Sequence, residues 1–123
     1  MVNESNLKQK VLNFLSDFDT SDNKVFSIKP ISGEFSLYPE RKSPDLYGML
    51  DAVYILFIIN ELQNFTSTES RRIWAKRILD CQDESGWFSK KNFRGHAKEH
   101  ASAYAIGALK LLAKVDDQLF LDD

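Results

Sequence analysis

The chain has 123 residues, 43% hydrophobic and 12% aromatic, enough apolar material for one packed domain and too much for wholesale disorder. Its formal net charge of −2 is too small to argue for a nucleic-acid or membrane-surface partner. The one cysteine, Cys81, excludes an intramolecular disulfide and a cysteine zinc cluster.

Periodicity predicts four helices, hence an all-α fold. In the first, Leu7, Val11, Phe14, Leu15 and Phe18 fall at helical spacing and form one apolar stripe. The same stretch carries Glu4, Asp17 and Asp19 and no apolar h-region, so no signal peptide is expected and the default location is cytoplasmic. The second helix opens at Ser43-Pro44-Asp45, with Ser43 as N-cap and Pro44 in the first helical position. It continues through Met49, Leu50, Val53, Leu56, Phe57 and Leu62. Its centre, Ala52 to Ile59, is apolar nearly all round, which marks a helix covered on most sides. That run is far below the ~20 residues needed to span a bilayer, so no membrane span is expected.

The third helix opens at Thr66-Ser67-Thr68-Glu69, where Thr66 and Glu69 have capping-box spacing. Ile73, Trp74, Ile78 and Cys81 form its stripe, and Arg71, Arg72, Lys76 and Arg77 take most of the rest. The fourth runs from about His96 to Lys114, burying Ala101, Tyr104, Ala105, Ala108, Leu111 and Leu112. Its small residues let a neighbouring helix come close. Cys81 reads as a small buried hydrophobe, and Trp74 and Trp87 as core or inter-hairpin residues. Asn64-Phe65-Thr66 fits a glycosylation sequon but reads as a turn into the third helix.

The two long loops are alike. Ser32-Gly33-Glu34-Phe35-Ser36 recurs as Ser85-Gly86-Trp87-Phe88-Ser89, and Ala52-Val53-Tyr54 aligns with Ser102-Ala103-Tyr104. Each unit is a helix, a Ser-Gly turn with an aromatic, a loop and an apolar helix. A single domain over residues 1–123 therefore divides into a hairpin repeat at about 5–63, a second at about 66–115, and a tail at 116–123. Repeated hairpins that cannot bury their faces alone normally stack on neighbours.

The second unit resembles a repeat of the α/α-toroid families, the terpene cyclases of squalene–hopene type and the β-subunits of protein prenyltransferases. The matching residues are Ile78-Leu79-Asp80-Cys81-Gln82-Asp83-Glu84-Ser85-Gly86-Trp87-Phe88 and then His100-Ala101-Ser102-Ala103-Tyr104-Ala105-Ile106-Gly107-Ala108-Leu109. In those families a Gln, a Gly four residues later and a following aromatic close each outer helix, and a Tyr-Ala-rich helix forms the inner ring. The resemblance implies that Gly86 supplies a positive φ, that Gln82 bonds helix-end groups and that the aromatic plugs the gap between hairpins. It covers roughly residues 70–113 and is weak over 1–62. The cyclases' acidic Asp-x-Asp-Asp signature is absent, the prenyltransferases' zinc set cannot be assembled, and a full toroid takes more hairpins than two.

Three constellations could carry chemistry. His96-Ala97-Lys98-Glu99-His100 matches the H-x-x-E-H pattern, in which two histidines one helical turn apart share a zinc and a glutamate activates water. No third ligand is evident, so no metal and no cofactor are expected. The alternative is a solvated first turn with Glu99 favoured by the helix dipole. Lys90, Lys91, Arg94 and Lys98 crowd the second loop beside Trp87, Phe88 and Phe93, a weak anion site or a solvated loop. Finally, inner-helix N-termini converge on the site in the toroid class, which would bring His96, Glu99 and His100 beside Tyr47 and Asp51.

The favoured reading is a non-catalytic helical interaction module whose apolar hairpin end-faces meet a second copy or a larger helical protein. The tail Leu119-Phe120-Leu121 is counted among those faces. One alternative is an enzyme or enzyme fragment of the toroid class acting on an isoprenoid or carbohydrate-like substrate. Another is a metal-dependent hydrolase using His96, Glu99 and His100.

Overall fold

The computed structural model describes residues 4–21, 30–88 and 97–115. Among them are four α-helices and no strand: α1 (Glu4–Ser16), α2 (Leu46–Ile58), α3 (Thr68–Leu79) and α4 (Ala97–Val115). The fold is all-α. No helix among the described residues is long and apolar enough to cross a membrane. The tail, with Leu119, Phe120 and Leu121, lies outside the described residues.

The core is built by α2, α3 and α4. Leu50, Ala52, Val53 and Leu56 of α2 meet Trp74 and Ile78 of α3 and Ala101, Ala105, Ala108 and Leu112 of α4, all of them fully inaccessible. The alanines of α4 recur at three- and four-residue intervals, giving that helix a flat face on which its neighbours pack closely. Helices α2 and α4 run parallel. In chain order Tyr47 faces His100, Tyr54 faces Tyr104, and Phe57 lies under the Lys114 ammonium.

Helix α1 is the outlier. Of its predicted stripe Leu15 alone is buried, while Leu7 and Phe14 stand 52% and 58% exposed. The spacing rightly marks one apolar face, but this chain does not cover all of it. Lys8 reaches Glu61 at 3.6 Å, and after the helix Asp19 makes an antiparallel bridge with Phe35.

That bridge has a counterpart. Gln82, placed after α3 as Asp19 is after α1, bridges Phe88 in the same antiparallel sense. Both phenylalanines are buried, and each follows by two residues a glycine at positive φ, Gly33 at 86° and Gly86 at 92°. The two turns are thus built alike, with the first loop longer. Gln82 departs from its implied role, because its side-chain amide donates to the turn carbonyl of Gly86 at 2.8 Å rather than to the helix end. Of the two aromatics in the second turn, Phe88 is buried in the core; Trp87 lies exposed beneath the Lys98 ammonium.

Helix boundaries shift from their sequence-based positions. The N-cap of α2 is Asp45, whose Oδ1 accepts from the Gly48 amide at 2.7 Å. Its Oδ2 accepts from Leu37 in the preceding loop, which is why it displaces Ser43 as cap. The N-cap of α3 is Ser67, in a reciprocal box with Ser70. Thr66 is instead buried, donating to the Leu62 carbonyl. Helix α2 stops at Ile58, short of Leu62. Asn60 takes φ 61°, and the amides of Asn60 and Glu61 turn back to the carbonyls of Phe57 and Leu56, a Schellman stop.

Candidate functional site

The face shared by α2 and α4 gathers most of the polar aromatic chemistry. Tyr47, Asp51 and Tyr54 lie on successive turns of α2, and His100 and Tyr104 on successive turns of α4. The Tyr54 and Tyr104 rings stack with centroids 4.7 Å apart and planes 10° apart. The Tyr54 hydroxyl donates to the Tyr104 backbone carbonyl at 3.2 Å. It can approach that closely because position 107 is glycine; a Cβ there would collide with the Tyr54 hydroxyl. The stack continues through Tyr47, 6.0 Å from Tyr104, and His100, 6.4 Å from Tyr47.

Asp51 is the charged member. Its Oδ1 accepts from the Tyr104 hydroxyl at 2.5 Å. Burial pushes the Asp51 carboxyl above its ordinary pKa, the Tyr104 hydrogen bond pulls part of the way back, and the Asp45 charge adds to the rise. Burial first, and the bonded Asp51 second, push the Tyr104 phenol well above its ordinary value. Tyr47 is raised by burial and then by Asp51, and Tyr54 by burial. All three shifts favour the protonated phenol. The arrangement suits a fixed hydrogen-bonded stack.

On the other side of Asp51, between α1 and α2, lies a pocket of about 130 Å³ lined mainly by apolar atoms of Phe14, Leu15, Phe18, Phe35 and Ile55, with Asp51 also on its wall.

The structure brings together part of the expected site. His100 and Asp51 converge on Tyr47 and Tyr104, whereas Glu99 is exposed on the first turn of α4. His96, Lys90, Lys91 and Arg94 lie outside the described residues. Among the described residues no group of three His, Cys, Asp or Glu side chains could hold a metal ion. Cys81 is half-buried, its thiol 3.5 Å from the Arg77 carbonyl and pushed up in pKa by burial and then by Asp80.

Two residues of α3 depart from their expected places; Ile73, read on the apolar stripe, is 39% exposed. Arg71, read as lying off the apolar stripe of the third helix, is 6% exposed. Its guanidinium donates to the Thr66 and Thr68 hydroxyls, and among the described residues its Nε has no partner. The threonines five and three residues earlier were the signal for it. The Tyr54–Gly107 contact had a fainter signal, a glycine inside an otherwise strong helix pattern.

Comparison with family models, curated proteins and solved structures finds no match to this chain.

Proposed function

We propose that this chain is a non-catalytic helical interaction module, related in design to the hairpins of α/α-toroids, that docks a second copy of itself or a larger helical protein. The observation that carries this reading is the outer face of α1. Leu7 and Phe14 are seven residues apart, hence on one side of the helix, and both are more than half exposed. Burying such a face yields about 25 cal/mol per Å² of apolar surface, a drive that association entropy must offset before a complex forms.

One further feature supports a module: the α2–α4 face is filled by stacked tyrosines. A cytoplasmic setting, where a single half-buried thiol stays reduced, suits the same reading.

Sedimentation velocity over increasing micromolar concentration tests the proposal. The expected result is an apparent mass that climbs with concentration, or that climbs on adding a helical partner. A Leu7→Glu/Phe14→Glu variant of unchanged helicity loses that behaviour. A wild-type chain that stays monomeric throughout and gains no mass with a partner overturns the reading.

A further inference from the structure

We propose that the pocket between α1 and α2 binds an organic ammonium head, a methylated amine held by aromatic rings and by the Asp51 carboxylate. Three observations meet there. The first is size. A pocket of about 130 Å³ is close to the ~150 Å³ apolar cavity that takes up benzene, so it admits one compact group and little more.

The second is the wall. Phe14, Phe18 and Phe35 all line the pocket, and the Phe14 and Phe18 rings lie 5.0 Å apart at 47°. Phe35 is fixed from behind by stacking on the buried Trp74, with centroids 5.7 Å apart. Aromatic rings grouped in this way attract a cation through their quadrupoles, and methylated ammonium, weakly hydrated and bulky, is the cation that such walls suit.

The third is the charge. Asp51 also lines the pocket, and among the described residues its carboxylate accepts one hydrogen bond, from a neutral phenol. Among the described residues no Lys, Arg or His pairs with it. A half-buried carboxylate without a counter-ion is costly to keep ionised, and a cation in the adjoining pocket removes that cost. An ordinary apolar ligand would leave it in place. The same chemistry is offered by a free quaternary amine and by a trimethylated lysine on another protein.

The test is a titration by NMR of the full chain with choline, and in parallel with 3,3-dimethylbutan-1-ol, its uncharged carbon isostere. The expected result is saturable shifts centred on α1 and α2 for choline, with the isostere at least fivefold weaker. Asp51→Asn, whose amide oxygen still accepts from Tyr104, abolishes the preference for the charged ligand. Phe18→Leu, which keeps apolar bulk but removes a ring, weakens choline several-fold in a chain of unchanged helicity. A peptide carrying trimethyllysine completes the set: tighter binding than choline places the ligand on a protein, and weaker binding places it among free amines. Equal affinity for choline and its isostere, or no saturation by choline at tens of millimolar, overturns the proposal. Phe14 lines the pocket as well as the exposed face of α1, so the charge test with Asp51→Asn, which touches neither Leu7 nor Phe14, is the arm read separately from the association experiment.

Discussion

Asp51 and Cys81 show how position sets the behaviour of a single side chain. Because the Asp51 pKa is raised in the folded chain, the unfolded chain releases that proton first as pH rises. Asp51 is therefore least costly below the ordinary carboxylate range, and stability falls as pH climbs from about 3.8 through the folded pKa. Asp51→Asn removes this dependence. Denaturant melts of the two proteins should agree near pH 3 and diverge toward neutrality, with the asparagine variant the more stable; equal stability at every pH would show the carboxylate to be well solvated. Asp83 has the opposite sign. Its carboxylate accepts from the Ser85 hydroxyl and from the backbone amides of Ser85 and Trp87, which holds its pKa down, so its contribution is lost on acidification. Cys81, raised by burial, should react with a thiol reagent at neutral pH markedly more slowly than a free cysteine, and at the free rate once the chain is unfolded. Some of this was legible beforehand. Gly86 stands out because a turn residue with positive φ favours glycine, and Gly33 by its place in the recurring Ser-Gly turn. The Asp51–Tyr104 bond did not stand out, because it joins residues 53 apart and no local pattern encodes it.

At the scale of the element, helix existence is readable and helix ends are not. Four periodic apolar stretches predict four helices because burial of a face is written into residue spacing. Several adjacent residues can cap, however, and tertiary contacts choose among them. Ser43 and Asp45 both qualify at α2, and Asp45 prevails because its second oxygen also holds the Leu37 amide. The same carboxylate thus fixes a helix start and a loop, and Asp45→Ala should cost more than the ~1 kcal/mol of an ordinary cap. Asn60 is a second case, since asparagine tolerates the left-handed conformation without announcing it. Asn60→Gly should raise stability by a few tenths to about 1 kcal/mol, and Asn60→Val should lower it, both read from denaturant midpoints at constant m-value. Gly107 is a helix-interior glycine kept by its neighbour. On propensity alone Gly107→Ala would gain about 1 kcal/mol. Here it should destabilise, because the new Cβ drives the Tyr54 hydroxyl off the Tyr104 carbonyl.

Across the whole molecule, the structure is a tight three-helix core with a fourth helix held at its margin. Helices α2, α3 and α4 share inaccessible residues, whereas α1 contributes Leu15 to the buried core and is separated from α2 in part by the pocket. The sequence marks α1 as amphipathic but cannot say which of its apolar residues this chain covers, because that depends on what else packs against it. Local stability follows buried contacts, so the amides of α1 should exchange with solvent faster than those of α2 and α4 in dilute solution. If the exposed Leu7 and Phe14 are where a second copy docks, that difference depends on concentration. Raising the protein concentration should slow exchange in α1 selectively, with α3 and α4 changing little, and a Leu7→Glu/Phe14→Glu variant should exchange at the dilute rate throughout. Slowing confined to α4, where Ile106 is 49% exposed, would move the docking face to the far side of the core. Exchange independent of concentration in every helix would leave no role for self-association, and α1 would then await a different helical protein.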